Sequence, residues 1–147
     1  MEEIPGKLKR TVKKLEADGD EPMLIVPAIV QRYASEQMMA MVRMGMLDKI
    51  FGYILVTRTN IHFIRPGLMW DKVQSIPLDQ VTDIEYIKEF TTNTLKLKVG
   101  EQAENIIFYE DVDGIKFYQY VKFKRWTAEL QDRGQKEGQT EEKAGQK

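Results

Sequence analysis

Apolar and polar residues alternate through the middle of the chain, and the phase of that alternation predicts short strands. The stretch "GYILVTRTNIHFIRPG", Gly52 to Gly67, holds two such runs, Tyr53–Thr57 and Ile61–Ile64, around the polar turn Arg58–Asn60. Asn60 suits a turn because it tolerates left-handed backbone. Upstream, "MLIVPAIVQRY" (Met23–Tyr33) is a dense apolar run interrupted by Pro27, which predicts an edge, a bulge or a bend. Downstream, "RPGLMWD" (Arg65–Asp71) reads as a turn and "KVQSIPL" (Lys72–Leu78) as a strand that Pro77 closes. "VTDIEYIKEF" (Val81–Phe90) alternates imperfectly. Val81, Asp83, Glu85 and Ile87 fall on one side, with Ile84 and Tyr86 among the other positions, as in a strand that bends or bulges. "TLKLKVG" (Thr94–Gly100) alternates cleanly, with Leu95, Leu97 and Val99 inward and Lys96 and Lys98 outward. "NIIFYE" (Asn105–Glu110) is a further strand. Turn signals at intervals of about 8 to 12 residues predict a barrel or sandwich of about seven antiparallel strands.

The period then changes. "EDVDGIKFYQYVKFKRWTAELQDR" opens with Asp111 and Asp113, which suit a helix N-terminus, and continues with Phe117, Tyr120, Val121, Phe123, Trp126 and Leu130. Alternation also fits its first half. Length, the acidic start and the basic second half decide for a helix. At the other end, Ile4, Leu8, Val12 and Leu15 share one helical face, and Lys7, Lys9, Arg10, Lys13 and Lys14 cover the rest. The acidic "EADGDE" ends that helix. A basic amphipathic helix can lie on an anionic membrane. A stripe of four aliphatics without Trp or Phe instead favours packing against the domain. From Gln131 onward only Ala144 is apolar, so residues 131–147 are expected to be a disordered polar tail. The organisation predicted is a helix over 1–21, one domain over 22–130 and the tail.

In order, these segments resemble the bacterial and archaeal pleckstrin-homology-like (PH-like) domains of GRAM and YokE-like type. "GYILVTRTNIHFI" is similar to that family's "G-x-x-L-x-T" strand and its following "-I-x-F" strand, through Gly52, Leu55, Thr57, Ile61 and Phe63. "KVQSIPLDQVTDIEY" is similar to its "S-I-P-L" segment through Ser75, Ile76, Pro77, Leu78, Val81 and Ile84. The resemblance spans Met23 to Leu130. It implies a PH-like barrel of antiparallel strands closed at one end by the C-terminal helix. It places Ile54, Val56, Ile61, Phe63, Ile76, Leu78, Ile84, Leu95, Leu97, Ile107 and Val121 in the core. The sequence departs from the family between Arg32 and Lys49, where "ASEQMMAMVRMGMLDK" replaces a short loop. Ser35 can start a helix there. Met38, Met39, Met41, Met44 and Met46 either form an adaptable binding surface, or fill gaps in the core or cap one open end of the barrel.

Chemistry is sparse. The chain has 147 residues, no cysteine, one histidine and a formal net charge of -1. The charge gives no footprint for nucleic acid. The lack of cysteine removes disulfides and thiolate metal sites and fits the cytoplasm. "MEEIPGKLKRTVKK" lacks the apolar core of a secretory signal. His62 lies on the predicted strand away from the core side and is expected to face solvent. Ser35 and Ser75 are the only serines, and neither sits in a "G-x-S-x-G" elbow. No phosphate-cradling glycine loop occurs. No catalytic residue, cofactor or metal is expected, and the chain reads as a non-enzyme.

Three functions follow. The foremost is a binding or assembly module engaging a protein partner or a second copy. Leu68, Met69 and Trp70 on the predicted turn, with Met41 and Met44, are its candidate contacts, unless Trp70 folds against the barrel edge. The alternative is a peripheral module on anionic lipid, through Lys7, Lys9, Arg10, Lys13, Lys14 and Arg43. An enzyme with an unrecognised site around His62 comes last.

Overall fold

In the computed structural model, residues 4–31, 35–44, 50–88 and 93–124 are described. After a 3-10 turn (Gly6–Leu8), helix α1 spans Lys9–Ala17, strand β1 Pro22–Val30 and helix α2 Glu36–Arg43. Strands β2 (Tyr53–Thr57), β3 (Asn60–Arg65), β4 (Lys72–Pro77), β5 (Val81–Lys88), β6 (Asn93–Val99) and β7 (Gln102–Phe108) follow. The described part of helix α3 covers 111–124. The expected residues Tyr33, Met46, Phe90, Trp126 and Leu130, the side chain of Arg43 and the polar tail lie outside the described residues.

Among the described residues, seven strands join one antiparallel ladder in the order β4-β3-β2-β1-β7-β6-β5. The ladder does not close, because β4 and β5 stand at its two ends. It is two sheets sharing one strand. Residues 22–27 of β1 pair with β2, and residues 28–30 pair with β7. The switch falls at Pro27, which has no N–H to give to either neighbour. The corner is tight: the Ala28 N–H donates to the Gly52 carbonyl at 3.0 Å, and a Cβ on Gly52 would sit 2.7 Å from the Ala28 carbonyl oxygen. Of the expectations for Pro27, the bend is the one realised.

Inside the fold, Val26, Ala28 and Val30 of β1 meet Ile54, Val56, Ile61, Phe63, Ile76, Leu78, Val81, Ile84, Leu95, Leu97, Ile106 and Phe108. Helix α3 closes this core with Phe117 and Val121, both fully buried. Its first turn carries Asp111, whose charge suits the positive end of the helix. In β5 a register shift between Val81 and Asp83 turns both Val81 and Ile84 inward, which explains the broken alternation. The expected core holds, with one correction. Ile107 is buried, but on the outer face, and its neighbours Ile106 and Phe108 point inward.

The outer faces are covered too. Leu8 and Val12 pack on Tyr53, Leu55 and Ile64 of the first sheet, so the N-terminal stripe is spent within the fold. Met39 and Val42 of α2 pack on Ile29 and Ile107 of the second. Strands buried on both sides explain why "MLIVPAIV" and "YILV" read as continuous apolar runs. Each such aliphatic contributes about 1.5–3 kcal/mol on full burial.

Two substitutions test this packing. Leu97→Asp places an unpaired charge at a fully buried site and is expected to destabilise by more than about 4 kcal/mol in urea unfolding. Gly52→Ala forces the β1 corner apart and is expected to cost about 1–3 kcal/mol. A parental midpoint in the second variant would show that the corner yields.

Candidate functional site

The turn between β3 and β4 is built from its polar atoms outward. Asp71 accepts from the Gly67 N–H at 3.1 Å and from the Arg10 guanidinium at 2.7 Å, and its second oxygen accepts from the Thr11 hydroxyl. Arg10 also donates to the carbonyls of Met69 at 3.0 Å and Gly67 at 3.3 Å. The turn is so compact that a Cβ on Gly67 would lie 2.1 Å from the Trp70 carbonyl oxygen. With the backbone and Asp71 held inward, the intervening side chains have only one way to go. Leu68, Met69 and Trp70 are 100%, 76% and 70% exposed. Trp70 therefore does not fold against the barrel edge. A groove of about 360 Å³ runs under the tip, lined by Arg65, Pro66, Gly67 and Lys72 with the three apolar residues.

The methionine segment divides. Ser35 caps α2 by accepting from the Met38 N–H at 3.1 Å. Met39 fills the outer core, Met41 is half-buried and Met44 is exposed. Met38 and Phe51 line a small apolar hollow that also includes Arg65, a residue the tip groove shares. Of the basic candidates, Lys7, Lys9, Lys13 and Lys14 are exposed, while Arg10 is committed to Asp71. The sequence presents Arg10 as one more surface cation. Nothing in its local sequence announced a partner 61 residues away.

His62 corrects the expectation most clearly. It does point away from the inner core, but it is only 4% exposed, because the turn after α1 covers it. Its Nε2 lies 2.8 Å from Asp20 Oδ2 and its Nδ1 2.6 Å from Ser75 Oγ. Asp20 also accepts from the Asn60 amide and the Thr59 hydroxyl, each at 3.3 Å. Burial is the largest single influence on Asp20 and pushes its pKa up. Hydrogen bonds involving Thr57, His62 and Asn60 together outweigh it and hold the group below its ordinary value. Asp71 behaves alike: burial raises it, and Thr11, Arg10 and the Gly67 N–H bring it below the usual carboxylate range. Since Asp20 is ionised at neutral pH and only accepts, Nε2 carries the proton toward it. In the neutral ring Nδ1 then accepts from the Ser75 hydroxyl. Among the described residues no group of three or more Asp, Glu, His and Cys is arranged to hold a metal, and no helix is long and apolar enough to cross a membrane.

Among solved structures, the chain is similar to the Vps36 N-terminal PH domain, with a TM-score of 0.54 and 16% sequence identity. The match covers 77% of this chain and 84% of that one. The fold is therefore PH-like, as the sequence resemblance implied. No family model and no curated protein matches the sequence.

Asp20 and Asp71 tie α1 to the sheet as carboxylates. Their folded pKa values lie below the ordinary 3.8, so they stabilise the fold fully above about pH 4 and lose that contribution as pH falls through the folded values. Urea midpoints are expected to drop between about pH 7 and about pH 3 in the parent. Asp20→Asn and Asp71→Asn should each start lower at neutral pH and drop less. Equal drops in parent and variants would remove these two groups from the acid response.

Proposed function

We propose that this chain is a non-catalytic binding module that engages a protein partner, or a second copy of itself, through the tip between β3 and β4. One observation carries this reading. Three consecutive large apolar side chains stand in solvent on a backbone that Arg10, Thr11 and Asp71 hold in place. A turn ordered before binding loses little entropy on contact, so its apolar area converts efficiently into affinity. Trp at a protruding position is a common anchor in protein interfaces. Likeness to a PH domain supports a binding role at the level of fold, and the cysteine-free composition suits the cytoplasm.

A second reading, attachment to an anionic membrane, is favoured by the exposed lysines of α1 and of the 3-10 turn before it. Lys7, Lys13 and Lys14 lie three or four positions from Arg10, whose guanidinium touches the tip. Each basic residue near such a surface contributes at most about 1 kcal/mol.

A Leu68→Ser/Met69→Ser/Trp70→Ser variant separates these. Its fold should survive, since the side chains removed are exposed. In the protein reading, sedimentation velocity of the parent shows self-association, or proximity cross-linking at the tip yields a defined partner, and the triple variant loses either. In the membrane reading, the parent co-sediments with anionic but not neutral vesicles, and binding falls with salt. A parent that neither associates, cross-links nor sediments with vesicles would overturn the binding role of the tip.

A further inference from the structure

We propose that Ser75 is an activated serine that accepts an acyl group from a small activated ester, with His62 as its general base and Asp20 as a positioning residue. The three come from the turn before β1, from β3 and from β4, and meet at 2.6 Å and 2.8 Å. Their order is that of a nucleophile, a base and an orienting carboxylate. Asp20 is itself fixed by Asn60 and Thr59, and His62 is shut away from water. Ser75, by contrast, is exposed, so the nucleophile can be reached while its base stays dry.

The strand supplies a further group. Leu78 N–H donates to the Thr59 carbonyl, and Asn60 pairs with Pro77, so the β3–β4 ladder alternates with a known phase. His62 and Ser75 form one of its narrow pairs, in which side chains approach closely and the two residues exchange no backbone bonds. The Ser75 N–H therefore points outward from β4, an end strand of the ladder, beside its own Oγ. It is placed to donate to an oxyanion arriving from that edge.

In the step, Oγ bonds to the ester carbonyl carbon while Nδ1 takes the hydroxyl proton. Collapse of the adduct breaks the carbon–oxygen bond to the leaving group. The leaving oxygen takes the proton from Nδ1, giving O-acyl-Ser75 and a free alcohol. Ser75 stands exposed on an end strand of the ladder, a position that a small, reactive donor reaches directly from solvent. The event is a stoichiometric modification of the chain and is independent of the binding role of the tip.

The chain carries its own control. Ser35 is the other serine, and its Oγ caps α2. The probe is p-nitrophenyl acetate, read by peptide mapping of both serines. In the folded chain Ser75 is expected to be acetylated on the order of 100-fold faster than Ser35, the scale of general-base assistance. In urea the ratio should fall to near one. His62→Gln, with unchanged circular dichroism, should bring Ser75 to the rate of Ser35. Nitrogen NMR of the sole histidine should show the proton on Nε2, and Asp20→Asn should weaken that preference and slow Ser75 together. Equal rates at the two serines of the folded parent would overturn the proposal without any variant, as would a neutral His62 protonated on Nδ1.

Discussion

Strand β1 belongs to both sheets, and its change of partner at Pro27 is the constraint on which the rest of the molecule hangs. One stretch of nine residues must offer core side chains to two sheets that face each other. It can do so only if the chain bends between Pro27 and Ala28, where Gly52 has no side chain to obstruct the approach. Once bent, the strand leaves apolar residues on its outer faces as well. Ile25 and Ile29 point away from the core and require separate covers, which α1 and α2 provide. Two otherwise unrelated helices therefore answer to one kink.

The first cover does more than hide apolar surface. Near its start, α1 sends Arg10 and Thr11 to Asp71, and just past its end it brings Asp20 to His62. Ten residues of mostly helical chain, about 15 Å at the helical rise, separate these contacts. They fall near the two ends of the β3–β4 hairpin, one at the apolar tip and one near Asn60. The same helix thus fixes the orientation of the tip and the tautomer of the histidine. Its lysines remain outside, so burial of the apolar stripe and display of the basic face are a single arrangement.

Much of this was legible in the sequence because it depends on local period. The run "YILVT" marks β2 to its ends, and the alternation in "TLKLKVG" sets Leu95 and Leu97 inward, where the structure has them. Ser35 announced α2, and "GLMW" announced an apolar turn. What escaped was whatever depends on contacts distant in sequence. "DGD" reads as an acidic helix end, yet Asp20 from it reaches a histidine 42 positions away. The family resemblance places Ile107 in the core, while alternation along "NIIF" identifies two faces without saying which is inner, and here both are buried. The alternation around His62 gives its face, away from the inner core. Its burial required knowing that the α1 turn would lie over it.

The tip and the Ser75 cluster share β4, an end strand of the ladder, but differ in how they depend on α1. At the tip, Arg10 holds backbone carbonyls, so loss of the helix would free the loop without changing its composition. At Ser75, Asp20 supplies a charge that the ring of His62 needs in order to keep one tautomer. A chain beginning at Pro22 would lose Arg10, Thr11 and Asp20 together and uncover Leu55 and Ile64. Any altered binding of such a fragment would then mix a freed loop, a lost carboxylate and a new apolar face. Single substitutions on the sheet side, where Asp71 and His62 sit, act on one of these at a time, which makes them the sharper instruments for this fold.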